Sequence, residues 1–205
     1  MTHTPILLGS NIHIGNNLQC GYDVIIEDDV WIGDNVKLGH RALLKRGTRL
    51  GNNVVFDDHC VCTGAAWVGD NVNFRTGAIL AKANIVEDYC FIGPGIVTNH
   101  TKHVTHGRPD LPNEQLITYI GYGSIIGSQA SLLAGLEIGP QTIIGGGAVV
   151  VKKTEGYGVW IGSPARRAMD LPPGYRMEEP DNAGNMYRTQ EVLDHLKNFI
   201  PNLVI

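Results

Sequence analysis

The sequence has no excess of positive charge: 16 Lys and Arg stand against 20 Asp and Glu, giving a net charge of −4. No basic stripe interleaves with aromatics, so the chain carries no footprint for nucleic acid. It also has no long hydrophobic run. The longest, around Ala148 to Val151, is far too short to cross a bilayer. The first residues, MTHTPILLGS, contain no basic segment followed by an apolar core, which argues against a secretory leader. A soluble cytoplasmic protein with no membrane partner is the expectation. Disulfide and zinc frameworks are equally poorly served. The four cysteines, Cys20, Cys60, Cys62 and Cys90, contain no CxxC spacing. With 205 residues the chain is long enough to bury a substantial core, and it is expected to form one domain.

What the sequence has in plenty is glycine, 26 residues, and a count in sixes. From Leu8 to Ile92, and again from Ile120 to Val150, every sixth residue is apolar, 21 positions in all. At 43% hydrophobic composition, chance would give this roughly once in tens of millions of tries for a fixed register. The residue after the anchor is glycine in 12 of the 21 repeats. The third residue after it is Gly, Asn or Asp in 13, types that accept left-handed backbone angles and make turns. The fourth is mostly small or apolar, as at Val24, Val36, Ala66, Ala78 and Ala148. That fourth residue and the next anchor lie two apart, so on an extended segment they share one face. The unit is therefore a short strand with two inward side chains, followed by a turn. Three units close a triangular coil of 18 residues, and 21 units make about seven coils with strands roughly 4.8 Å apart. All four cysteines fall at inward slots, where they read as small buried hydrophobes.

Periodicity alone does not give the hand of such a coil. Segments such as IGDNVK and IGPQTI resemble the hexapeptide repeat of the left-handed β-helix acyltransferase superfamily, over residues 8 to 155. The resemblance implies an all-β, left-handed parallel β-helix and a homotrimer with active sites between prisms. It points closest to sugar N- and O-acetyltransferases.

The count breaks between Ile92 and Ile120, which lie 28 residues apart. An insertion of about 22 residues beginning near Thr98, a loop over 98–119, is expected there, and a loop of that length in so regular a fold is usually functional. It carries His100, His103 and His106. Acyl transfer to an amine or hydroxyl needs a base that is neutral near pH 7, which suits imidazole. The stretch VEDYCFIGPGIVTNH resembles the approach to the active-site loop of the sugar N-acetyltransferases, where a Thr-Asn pair opens the site. Matching by text implies Asn99 and His100; matching by repeat register implies His103. His100 ranks slightly ahead, and His106 is incidental. Glu87, just before the loop, is a lesser candidate to orient an imidazole or an acceptor amine.

IIGSQA resembles the coil after the loop, which puts the Ser128 amide in the role of oxyanion donor. IIGGGAVVVKKTEGYGVWIGSPARRA resembles the closing signature of the same enzymes, GAGAVVTKD followed by GNPAR. Carried over by position, it implies Gly146 at the pantetheine of coenzyme A, and Lys152 and Arg166 at its phosphates. A forked guanidinium and a flexible ammonium suit those anions. Acetyl-CoA is then the acyl donor, and the acceptor is a small molecule, an amino sugar or nucleotide sugar. No metal is expected. The two competing classes are a carbonic anhydrase-like metal lyase on the same repeat fold and a non-catalytic structural β-helix. Against the first, no two histidines here lie five residues apart, the spacing that the lyases resembling this chain use. Beyond Val150 a Gly/Pro-rich exit leads through a C-terminal extension, residues 156–205. The extension ends in a helix near 189–200, with Thr189 as N-cap and Pro201 as stop.

Overall fold

The computed structural model describes residues 6–204. Each hexad supplies one short strand, and the strands stack in parallel with partners 18 residues apart, as in Ile14 with Ile32 and Cys62 with Leu80. They form three sheets of eight, seven and nine strands, here called faces A, B and C. The seven-stranded face B marks seven complete coils. An eighth, partial coil closes the top. In it Thr154 bridges to Ile138, and Gly158–Ile161 adds to face C before turning back as the antiparallel strand Arg166–Asp170. The prism is a left-handed parallel β-helix.

The turn chemistry follows from backbone angles. In nineteen of the twenty-one repeats the third residue after the anchor has positive φ, from Asn11 at 53° to Gly147 at 67°. Asn, Asp and Gly accept that region at little cost. Between coils the corners are tied by side chains acting on the backbone of the coil below. Asp34 Oδ1 accepts from the Asn16 amide, Asn52 Oδ1 from Asp34, Asp70 Oδ1 from Asn52 and Asp88 Oδ1 from Asp70, at 2.6 to 2.9 Å. Asn and Asp thus serve the repeat twice, by shape and by hydrogen bonding.

Inward side chains fill the prism axis, with the Phe56 and Phe74 rings tilted against each other at 5.1 Å among Leu, Ile and Val. Cys60, Cys62 and Cys90 lie buried there, whereas Cys20 is only half-buried. The difference is one of position. The first coil has no described coil beneath it, so even its inward anchors Leu8 and Ile14 stay 57% and 40% exposed.

The insertion is shorter than the sequence count implies. Thr98 occupies the next anchor slot, buried and paired with Leu132, and its hydroxyl accepts from the Ala81 amide at 2.8 Å. The chain leaves face A after Thr98 and rejoins face B at Thr118–Ile120, where Ile120 pairs with Val86. A hexad ending in a polar residue hid one repeat from an apolar count. The coils beyond the loop keep the same three faces, so the sixfold count shifts in sequence but not in space.

The C-terminal extension wraps the outside. Helix α1 (Gln190–Phe199) begins at Thr189, whose side chain accepts from the Val192 amide, and it lays Val192, Leu196 and Ile200 on the outer face B residues Trp67, Ile85 and Tyr119. Burial of each such side chain is worth roughly 1.5–3 kcal/mol. On the coils below, Arg49 is held between Trp31 and Trp67, 4.5 and 4.2 Å from their rings. Among the described residues no helix is long and apolar enough to cross a membrane.

Candidate functional site

The candidate residues fall on two corners of the prism, one at each edge of face A. The corner leading from A to B holds Asn99 and His100 after strand Val97–Thr98, and Lys152 after Val149–Val150. The corner leading from C to A holds Ser128 and Gly146, on turns that follow Ile125–Ile126 and Ile143–Ile144. Arg166 begins the return strand above that second corner, paired with Ile161. One protomer therefore does not bring the histidines to the Ser128 amide, because face A lies between them.

At the first corner the loop has a defined stem. The Asn99 side-chain amide and backbone amide both donate to the Leu132 carbonyl, at 3.1 and 3.0 Å. The His100 carbonyl accepts from the Leu116 amide at 2.8 Å, which closes the base of the loop. His100 is half-buried, while His103 and His106 lie exposed on the excursion beyond the stem. Burial, and then the Lys82 ammonium on the coil below, hold the His100 imidazole below its ordinary pKa. Its neutral, proton-accepting form is favoured.

At the second corner Ser128 and Gly146 are exposed and adjacent, and the Ser128 carbonyl accepts from Gly147 at 2.8 Å. Among the described residues neither the Ser128 nor the Gly146 amide is spent on an acceptor. An alanine methyl at 146 would come 3.3 Å from the Ser128 carbonyl. The arginine pair divides its labour. Arg167 binds Asp170 at 2.8 Å and approaches Glu155, while Arg166 donates to the neighbouring Ala165 carbonyl and stays exposed. The lysine pair does the same, since Lys153 is bound to Glu137 and Lys152 is exposed.

Glu87 has another role than the one expected. It is fully buried on the corner between faces B and C, away from the histidine loop. Its carboxyl oxygens accept from the Tyr119 hydroxyl at 2.5 Å and from the amides of Tyr122, Gly184 and Met186 at 2.6 to 2.7 Å. It is the anchor of the C-terminal extension, with no capacity left to orient a substrate. The donors lie up to 99 residues away in sequence, so no local pattern could have marked it. Sequence reasoning also missed a cavity of about 430 Å³ between the loop stem, face B and the extension. Leu116, Ile117, Leu193 and Val204 line its apolar part, and Arg188, bound to Glu137 at 3.0 Å, lines its polar end. Among the described residues no group of three or more His, Cys, Asp or Glu is placed to hold a metal ion.

A model of the hexapeptide repeat of succinyl-transferase matches residues 23–57. Among solved structures, AntD, an N-acyltransferase from Bacillus cereus in complex with dTDP and coenzyme A, is 16% identical with a TM-score of 0.56, over 82% of this chain and 84% of that one. The same enzyme with dTDP-4-amino-4,6-dideoxyglucose and coenzyme A gives 17% identity and a TM-score of 0.54, over 80% and 83%. GDP-perosamine N-acetyltransferase from Caulobacter crescentus is 18% identical with a TM-score of 0.44, and the match covers 82% of this chain and 55% of that chain. The six-residue repeat, the three-faced prism and the likeness to AntD together identify the fold as a left-handed parallel β-helix built on hexapeptide repeats.

Proposed function

We propose that the protein is a coenzyme A-dependent acyltransferase that moves an acetyl group onto an amino or hydroxyl group of a sugar or nucleotide sugar. The observation that carries this reading is His100, a half-buried imidazole at a closed loop stem on the edge of face A, where burial favours its proton-accepting form. The fold shared with an N-acyltransferase solved with coenzyme A and a dTDP-sugar supports it.

The split between two corners has a geometric explanation in a homotrimer. The outer side of face A carries an in-register aliphatic column of Leu7, Ile25, Leu43, Val61, Ile79 and Val97. Leu7, Ile25 and Val97 are 61%, 37% and 37% exposed in the single chain. Such a column asks for a partner. If three copies turn face A toward a threefold axis, each cleft is bounded by the A-to-B corner of one copy and the C-to-A corner of the next. His100 and Lys152 of one protomer then meet Ser128, Gly146 and Arg166 of its neighbour.

In that cleft His100 takes the proton from the acceptor nitrogen or oxygen as it attacks the thioester carbonyl. The unspent Ser128 amide donates to the oxyanion that develops, and the thiol of coenzyme A departs. Arg166 and Lys152 hold the cofactor phosphates, and the Gly146 turn lets pantetheine approach the backbone. A thiol-release screen with acetyl-CoA against amino sugars, nucleotide-linked amino sugars and simple hydroxyl acceptors tests the reading. Thiol release with one class supports it. No release with any acceptor, together with no calorimetric binding of coenzyme A, overturns it.

A further inference from the structure

The loop that carries His100 is tied at its far end by the last residues of the chain. Strand Gln115–Leu116 pairs in parallel with Leu203–Val204, with Gln115 opposite Leu203 and Leu116 opposite Val204. The Gln115 amide donates to the Asn202 carbonyl at 2.9 Å, and the next amide, Leu116, donates to the His100 carbonyl at 2.8 Å. Two consecutive N–H groups thus point to opposite sides, one to the C-terminal strand and one to the histidine. The Leu116 side chain seats over Gly135, where any Cβ would lie 3.2 Å from it. The ladder borders the 430 Å³ cavity, whose walls include Leu116 and Val204, while Leu203 packs on the cluster of Trp67, Ile85 and Tyr119. The stem is therefore held by its hydrogen bonds, by Leu203 on that cluster and by the docking of α1, with the cavity leaving its Leu116 side open.

We infer that the C-terminal strand is a positioning element for the base: its pairing with Gln115–Leu116 fixes the loop end that holds the His100 backbone. This rests on the proposed reaction for its kinetic consequence, but the pairing itself can be tested apart from it. Without the strand, the stem can open over the cavity and His100 swings toward solvent, losing the burial and, after it, the nearness of Lys82 that hold its pKa down.

The first test shortens the chain to end at Pro201, which leaves α1 intact. The kcat should fall about 10- to 100-fold, as expected for a base displaced by around 1 Å, with KM for acetyl-CoA nearly unchanged. The His100 titration, read by NMR, should move up toward that of an ordinary imidazole. Gln115→Pro removes the N–H that donates to the Asn202 carbonyl and should reproduce both changes with residues 202–204 present. A third measurement needs no variant: the Leu116 amide of the full chain should be protected from hydrogen exchange. Wild-type kcat and an unmoved His100 titration in a folded variant overturn the inference, as does unprotected exchange at Leu116. If no acyl transfer is found at all, the reaction proposed above fails, while the titration and exchange still decide the pinning.

Discussion

His100 and His103 are three residues apart, yet their surroundings differ in the one respect that matters to a base. The first is half-buried at a closed stem, and the second is exposed on the excursion. His100→Ala should lower kcat by a factor of about 10²–10⁴ with little effect on coenzyme A affinity, while His103→Ala and His106→Ala stay mild. Because the base must be unprotonated, activity rises with pH through its pKa. Burial and Lys82 depress that pKa, so the acid limb of kcat/KM should fall below the ordinary imidazole value of about 6.5. A limb above that value would point to another base. Arg166→Ala, which removes an exposed guanidinium with no carboxylate partner among the described residues, should raise KM for acetyl-CoA and leave kcat nearly unchanged. Equal coenzyme A binding by variant and wild type would dismiss the phosphate role. The thiols add a check on the register. Burial pushes Cys60 and Cys62 up to about 11 and raises Cys90 as well, so all three should resist a thiol reagent in the folded protein. Cys20, half-buried in the first coil, should label first.

Elements built from a local rule were readable, and those built from distant contacts were not. A strand every six residues follows from an apolar anchor and an Asn, Asp or Gly turn, and α1 follows from its apolar stripe and Thr189. Thr98 shows the limit of an apolar count, since its hydroxyl finds an amide inside the wall and fills an anchor slot without being apolar. Glu87 shows it more sharply. In the sequence it is an acidic turn residue like Asp28 or Asp34; in the structure it gathers three backbone amides and a phenol from two segments. Glu87→Gln replaces one acceptor oxygen by an NH₂ group that faces N–H donors. It should cost about 2–4 kcal/mol, visible as a lower urea midpoint and as faster proteolysis within residues 177–187. Unchanged proteolysis would mean that the extension is held by α1 alone.

At the scale of the molecule, the proposed trimer would make activity depend on assembly, because the candidate site residues are split between two corners. Sedimentation equilibrium should report three 22.2 kDa chains. A charge placed in the middle of the aliphatic column, as in Ile79→Arg, should yield folded monomers without acyltransferase activity, because each would keep a base and lose the opposing amide. An active monomer would refute the shared cleft. Sequence gave no direct view of this arrangement: the column on face A occupies every third hexad, and only the coil geometry collects those residues on one side.

The pairing of residues 115–116 with 203–204 also bears on the order in which the protein matures during synthesis. Coils can stack as they leave the ribosome, because each needs only the 18 residues before it. The histidine loop emerges well before residues 202–204, and until they clear the ribosome its far end stays untied. A nascent chain can therefore own a complete-looking prism while its loop remains unset.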